Sequence, residues 1–229
     1  MFMKKLFVVL ALFSLFCIPA LAQDFPKVEI FGAYSMAKLS GDIGDFLNAV
    51  DDEIGSESGV DVTTFLKTGF MGSLTVNVNE YFGIEGNFSY HRGTPLSVNV
   101  SAGGDSIDAK VKADSFNFMA GPKFAYRGNE KVTPFGHFLI GLNSAKLSGE
   151  CTGTLCDELP SELDIVDMSG RDSALAFAFG GGLDLNVSDS VAIRPIEFDY
   201  IYSNHGEGDY DLTVNFITFS FGVVFKVGQ

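Results

Sequence analysis

Three residues near the C-terminus have the types that a hydrolase uses. Ser203, His205 and Glu207 lie close together in the chain. A serine hydroxyl becomes a nucleophile only beside a general base that is itself held in place. The competing reading is a polar strand end running into a loop, and on that reading the chain is not an enzyme. Cys151 and Cys156 are spaced C-x4-C. A metal site would want histidine close by, and none is, whereas a local disulfide suits the spacing in an exported protein. His91 and His137 offer no metal set, and His91, beside Arg92, reads as an interfacial residue where a strand ends. No phosphate loop, nucleotide fingerprint or Cys-His spacing is present, so neither metal nor cofactor is expected.

Export is written at the N-terminus. Lys4 and Lys5 precede a short apolar run from Leu6 to Phe16, and Ala20-Leu21-Ala22 is a small-x-small cleavage site. Residues 1–22 are therefore expected to be a signal peptide, with the mature domain covering 23–229. Phe16 stands where a lipobox before Cys17 would need a small residue, which argues against lipidation. Loss of the leader takes the formal net charge from −14 to −16. Such acidity excludes nucleic acid as a partner, because phosphate binding needs a basic face. No later stretch reaches the ~20 apolar residues that a membrane-spanning helix requires, so a membrane location demands strands.

The strands are legible as period-two alternation. From Ser173 to Val187, Leu175, Phe177, Phe179, Leu183, Leu185 and Val187 share one face, and Ala174, Ala176, Ala178, Gly180, Gly182 and Asp184 share the other. The terminal segment alternates Ile217, Phe219, Phe221, Val223, Phe225 and Val227 with smaller or polar residues. Similar patterns are expected near 27–39, 68–78, 81–90, 116–126, 131–147 and 191–202, giving eight strands. In the segment 191–202 the large residues change parity after Ile193, so a bulge is expected at Pro195, which lacks an N–H.

Short turns near 79–80, 128–130 and 188–189 alternate with long connections at 40–67, 92–111, 147–172 and 203–211. That asymmetry, with an even strand number, predicts an all-β, eight-stranded, antiparallel up-and-down transmembrane barrel with short periplasmic turns and longer extracellular loops. The second long connection keeps its alternation and should extend the wall as a hairpin around Gly103-Gly104. Phe46, Leu47, Val50 and Ile54 at helical spacing predict a short helix on the barrel mouth.

Parity then gives the charges a place. Glu29, Glu85, Lys123, Asp184, Arg194 and Lys226 all face inward near their strand ends, with Glu197, Asp199 and His137 higher. In so narrow a barrel these should pair with one another, since a lone charge in a dry lumen is costly. A proton or ion path is the functional alternative.

The segment Phe118-Met119-Ala120-Gly121-Pro122-Lys123, with Val132-Thr133-Pro134-Phe135-Gly136-His137, resembles the middle hairpin of bacterial outer-membrane β-barrel domain proteins. So do Val191-Ala192-Ile193-Arg194-Pro195 with Asp199-Tyr200, and the ending from Asn215 to Gly228. The resemblance covers essentially the whole mature chain. It implies a small eight-stranded surface barrel in the outer membrane, in a family that includes adhesins, complement-resistance proteins and structural barrels. The last strand also resembles the terminal signal of the barrel-assembly machinery, although Lys226-Val227-Gly228-Gln229 follows the aromatic Phe225. Ile201-Tyr202-Ser203-Asn204 is similar to the His-x-Ser-Asn segment of outer-membrane lipid A deacylases, with Ile201 in the place of the histidine.

The expected role is therefore structural or surface-interacting, with a lumen plugged by ion pairs. A narrow porin-like channel and a lipid A-modifying enzyme are the alternatives. Outer-membrane lipids and lipopolysaccharide, the assembly machinery, and an extracellular ligand held by the loops are the expected partners of a monomer.

Overall fold

Strands with two unlike faces can give each face a single environment by closing into a cylinder. The computed structural model describes residues 25–54, 59–102, 105–154, 156, 171–205 and 213–228. The leader, the Gly103-Gly104 turn and Glu207 lie outside the described residues. Strand β1 spans Val28–Ser40 and helix α1 Gly41–Ile54. Two short strands follow, β2 at Val60–Val62 and β3 at Phe65–Leu66. Then come β4 (Thr68–Asn77), β5 (Phe82–Ala102), β6 (Asp105–Ala125) and β7 (Val132–Thr152). The wall is completed by β8 (Arg171–Ser188), β9 (Val191–Asn204) and β10 (Thr213–Val227).

Successive long strands pair antiparallel. β1 pairs with both β4 and β10, with Val28 opposite Val227 and Ser40 opposite Asn215, so the sheet closes on itself. Eight strands, β1 and β4 to β10, make the wall and leave no long edge unpaired. Outward positions carry exposed Phe70, Phe118, Phe138, Phe179, Phe221 and Phe225, while alternate positions bury Ser35, Asn87, Asn117, Asn143 and Thr218. Water would penalise that outer face and hydrocarbon would not. Rings also meet across strands on this surface, as Phe70 does with Phe88 at 5.7 Å and Phe198 with Phe219 at 5.6 Å.

The expected bulge is present. Ser220 pairs with Glu197 and Gly222 with Arg194, so Pro195 and Ile196 together oppose Phe221. That extra residue turns Arg194, Glu197 and Asp199 to the same, inner face. The connection between β5 and β6 is the hairpin that its alternation implied: pairing continues up to Ala102 opposite Asp105. β7 runs on past Leu147 to Thr152, opposite Asp108, so one side of the wall rises higher than the rest. Cys151, near the tip of β7, is disulfide-bonded to Cys156.

Helix α1 closes part of the loop end. Leu47 packs in one cluster with Ala37, Leu39, Leu66, Val214 and Phe216, and Ile43 rests against it. Phe46, expected on the same face, is instead exposed. Adjacent helical residues point ~100° apart, and with Leu47 seated in the cluster Phe46 is turned to the exposed side.

Candidate functional site

Charged residues concentrate in the half of the lumen nearer the short turns. The wall supplies them one strand at a time: Glu29 from β1, Glu85 from β5, Lys123 from β6, His137 from β7, Asp184 from β8, and Arg194, Glu197 and Asp199 from β9. All eight are buried.

They form two linked groups. In the first, Lys123 Nζ lies 3.3 Å from Glu29 Oε2 and 3.2 Å from Glu85 Oε2. Thr75 donates its hydroxyl to the same Glu85 oxygen at 3.1 Å. His137 continues the chain, with Nδ1 3.2 Å from Glu85 Oε1 and Nε2 2.6 Å from Asp199 Oδ1. In the second, Arg194 makes a forked pair with Asp184, Nε to Oδ1 at 2.6 Å and Nη2 to Oδ2 at 3.0 Å. Its Nη1 donates to Glu197 Oε2 at 2.6 Å. The guanidinium is held between the rings of Phe31 and Phe135, each centroid 4.1 Å away. A planar cation with a rigid donor fork suits both contacts, which lysine could not reproduce.

Room for this network comes from missing side chains. Gly180 of β8 faces inward opposite Asp199, and a Cβ there would collide with the Asp199 carboxylate.

Above the charges lies a neutral network. Ser35 Oγ is 2.8 Å from His91 Nε2, and Ser220 donates to Ser35 at 2.7 Å. Asn143 donates to Asn117 Oδ1 at 2.7 Å and to Ser115 at 2.9 Å. His91 is therefore a buried lumen residue and not an interfacial one. Gly69 opposite it has no side chain to compete for the space.

Eight of the nine residues expected to face inward and pair come together, and one does not. Lys226 is partly exposed and donates to Asn186 Oδ1 at 2.5 Å. Its place beside Glu29 is taken by Arg127, whose Nη2 lies 2.7 Å from Glu29 Oε1. Arg127 follows the end of β6, so strand parity could not assign it.

The candidate serine and histidine do not meet. Ser203 is buried and donates to the Val214 carbonyl at 2.7 Å. His205 turns its ring nitrogens to Asp172 at 3.1 Å and to Asn143 at 2.8 Å. The third member, Glu207, lies outside the described residues.

One group of possible metal donors was not legible in the sequence. Glu85, His137 and Glu197 each place a ligand atom within 4.8 Å of the others. The three come from alternate strands, and only closure of the barrel brings them together.

A family model of the outer membrane protein beta-barrel domain matches residues 8–225. No curated protein matches the chain. Among solved structures, the chain is similar to Ail, the attachment invasion locus protein of Yersinia pestis, crystallised with the heparin analogue sucrose octasulfate. The identity is 21%, 86% of this chain and 96% of that one are covered, and the TM-score is 0.45. Neisserial surface protein A shares 13% identity over 87% of this chain and 97% of its own, with a TM-score of 0.48. OprG of Pseudomonas aeruginosa shares 12% identity over 89% and 98%, with a TM-score of 0.41.

Proposed function

The chain belongs to the outer membrane protein beta-barrel domain family, and from that premise we propose that it is a surface barrel whose transmembrane part is sealed. The exported chain loses residues 1–22, meets the barrel-assembly machinery, and inserts as a monomer among outer-membrane lipids and lipopolysaccharide. The wall is an anchor. The part that meets partners is the raised side formed by the upper ends of β5, β6 and β7, tied at its tip by Cys151–Cys156.

One observation supports this reading: the inward charged and polar side chains are buried and paired with one another. Arg194, the largest fully buried side chain among the described residues, pairs with Asp184 and Glu197 and lies against Phe31 and Phe135. Toward the loop end the apolar cluster around Leu47, Leu66 and Phe216 lies across the mouth. An ion entering from either side would have to break paired charges or cross hydrocarbon-like packing, and both are costly. An enzymatic role has less support, since Ser203 spends its hydroxyl on a backbone carbonyl and His205 faces away from it.

The test is reconstitution of the mature barrel into planar bilayers. The expected result is a flat current trace at voltages where a porin added as control shows steps. Sustained unitary conductance would overturn the sealed reading in favour of a narrow channel.

A further inference from the structure

We propose that the lumen contains a binding site for one divalent transition-metal ion, of the Zn²⁺ class, ligated by Glu85 Oε1, His137 Nδ1 and Glu197 Oε1.

Three observations meet at this point. The first is that these three atoms are buried and find no hydrogen-bond partner. Each belongs to a group whose other polar atom is engaged. Glu85 Oε2 accepts from Lys123 and Thr75, Glu197 Oε2 accepts from Arg194, and His137 Nε2 donates to Asp199. Buried polar atoms in native proteins are overwhelmingly satisfied. Three unsatisfied atoms, on side chains whose ligand atoms lie within 4.8 Å of one another, therefore call for a shared cation.

The second is geometry. Tetrahedral Zn²⁺ with bonds near 2.0–2.1 Å sets neighbouring donors about 3.3 Å apart. His137 Nδ1 and Glu85 Oε1 are 3.2 Å apart without forming a hydrogen bond, and Glu85, His137 and Glu197 each offer a ligand atom within 4.8 Å of the others. A modest rotation of the Glu197 carboxylate closes that side. The imidazole has the outer support usual for a ligand histidine, its far nitrogen held by a carboxylate, Asp199, at 2.6 Å.

The third is charge. The buried network contains five carboxylates: Glu29, Glu85, Asp184 and Glu197 contact Lys123, Arg127 or Arg194, and Asp199 contacts His137. With His137 neutral, as a ligand imidazole must be, the three permanent cations leave two negative charges over, which one divalent ion neutralises. The same gap has another possible occupant, a proton shared between His137 and its carboxylates, and the experiment separates the two.

The mature barrel is refolded from urea into detergent micelles with Co²⁺, a coloured stand-in for Zn²⁺, then dialysed against metal-free buffer. The expected result is one retained ion per chain with visible d–d absorption, displaced by Zn²⁺. His137→Ala and Glu197→Gln should each abolish retention, with folding checked by gel mobility and circular dichroism. Asp199→Asn should lower affinity about 10- to 100-fold while leaving the donors in place. His91→Gln and His205→Gln, at the other two histidines, should retain the ion. No retained metal in the folded wild type, or equal retention in His137→Ala, overturns the proposal and assigns the gap to a proton. Conductance is read separately, so a failure here leaves the sealed-barrel reading standing, and a conducting barrel leaves this site standing.

Discussion

Two lysine–carboxylate pairs mark opposite ends of this molecule, and the shorter one should matter less. Outside the membrane, on the raised side of the wall, Lys112 lies 2.5 Å from Glu150, with side chains 29% and 57% exposed. In the periplasmic half of the lumen, Lys123 lies 3.3 Å from Glu29, with side chains 2% and 4% exposed. In the outer pair, water competes for both partners and salt screens what remains. In the inner pair water cannot replace a lost partner, so removing Lys123 leaves Glu29 and Glu85 buried with one cation fewer between them. Burial, not separation, sets the consequence. The lumen therefore specifies the barrel, and the extension tolerates change, which is what a surface that meets partners requires.

The strongest way to break this contrast is Arg194→Met. The substitution keeps bulk between Phe31 and Phe135 but leaves Asp184 and Glu197 buried together without their cation. Breaking a buried pair in this way costs on the order of 3–5 kcal/mol. The expected outcome is a large drop in the urea midpoint for unfolding from lipid, or failure to reach the folded form at all. Lys112→Ala should leave the midpoint where it was. Equal effects at the two sites would mean that the lumen is wetter than its packing implies.

A smaller effect separates the two faces of the wall itself. Gly180 and Gly86 both lie in membrane-spanning strands. A methyl at Gly180 would strike Asp199 and the Phe198 backbone, whereas a methyl at Gly86 meets nothing within 4 Å. Overpacking of a filled interior typically costs about 1–3 kcal/mol. Gly180→Ala should therefore lower the unfolding midpoint and disturb the His137–Asp199 contact, and Gly86→Ala should be neutral. Heat-modifiable gel mobility and urea titration on the two variants decide it.

Most of the wall was legible in the sequence because strand parity is a local property. The alternation around Leu175–Val187, the parity change at Pro195 and the inward set Arg194, Glu197 and Asp199 needed no knowledge of the partner strands. What escaped was whatever depends on how the strands are staggered around the cylinder. His137 pairs in register with Lys123 and Gly180, yet its ring reaches Glu85 on β5 and Asp199 on β9, a meeting that only closure and shear produce. Arg127 escaped because it follows the end of its strand, and Lys226 was misplaced because a strand's last residues face inward without lying deep. His91 beside Arg92 looked interfacial, but β5 continues to Ala102, which leaves that position well inside the wall.

The smallest expected effect tests the outer end alone. A hydrogen bond from Lys112, reinforced by its charge, holds the Glu150 carboxyl below its ordinary range. A carboxyl depressed by folding adds to stability above its unfolded value, about 4.3. That contribution fades as the pH falls through the lower, folded value. Acidification below pH ~4 should thus loosen the upper pairing of β6 with β7, where Lys110 stands opposite Glu150 and Lys112 opposite Ser148. Amide protection factors, corrected for the intrinsic pH dependence of exchange, should fall there and not at Asn117, and Glu150→Gln should remove that fall. Because this pair lies beyond the membrane, the urea midpoint of Glu150→Gln should match wild type at neutral pH. A shift of the whole transition would show that the extension and the lumen unfold as one unit, and the division between anchor and contact surface would then fail.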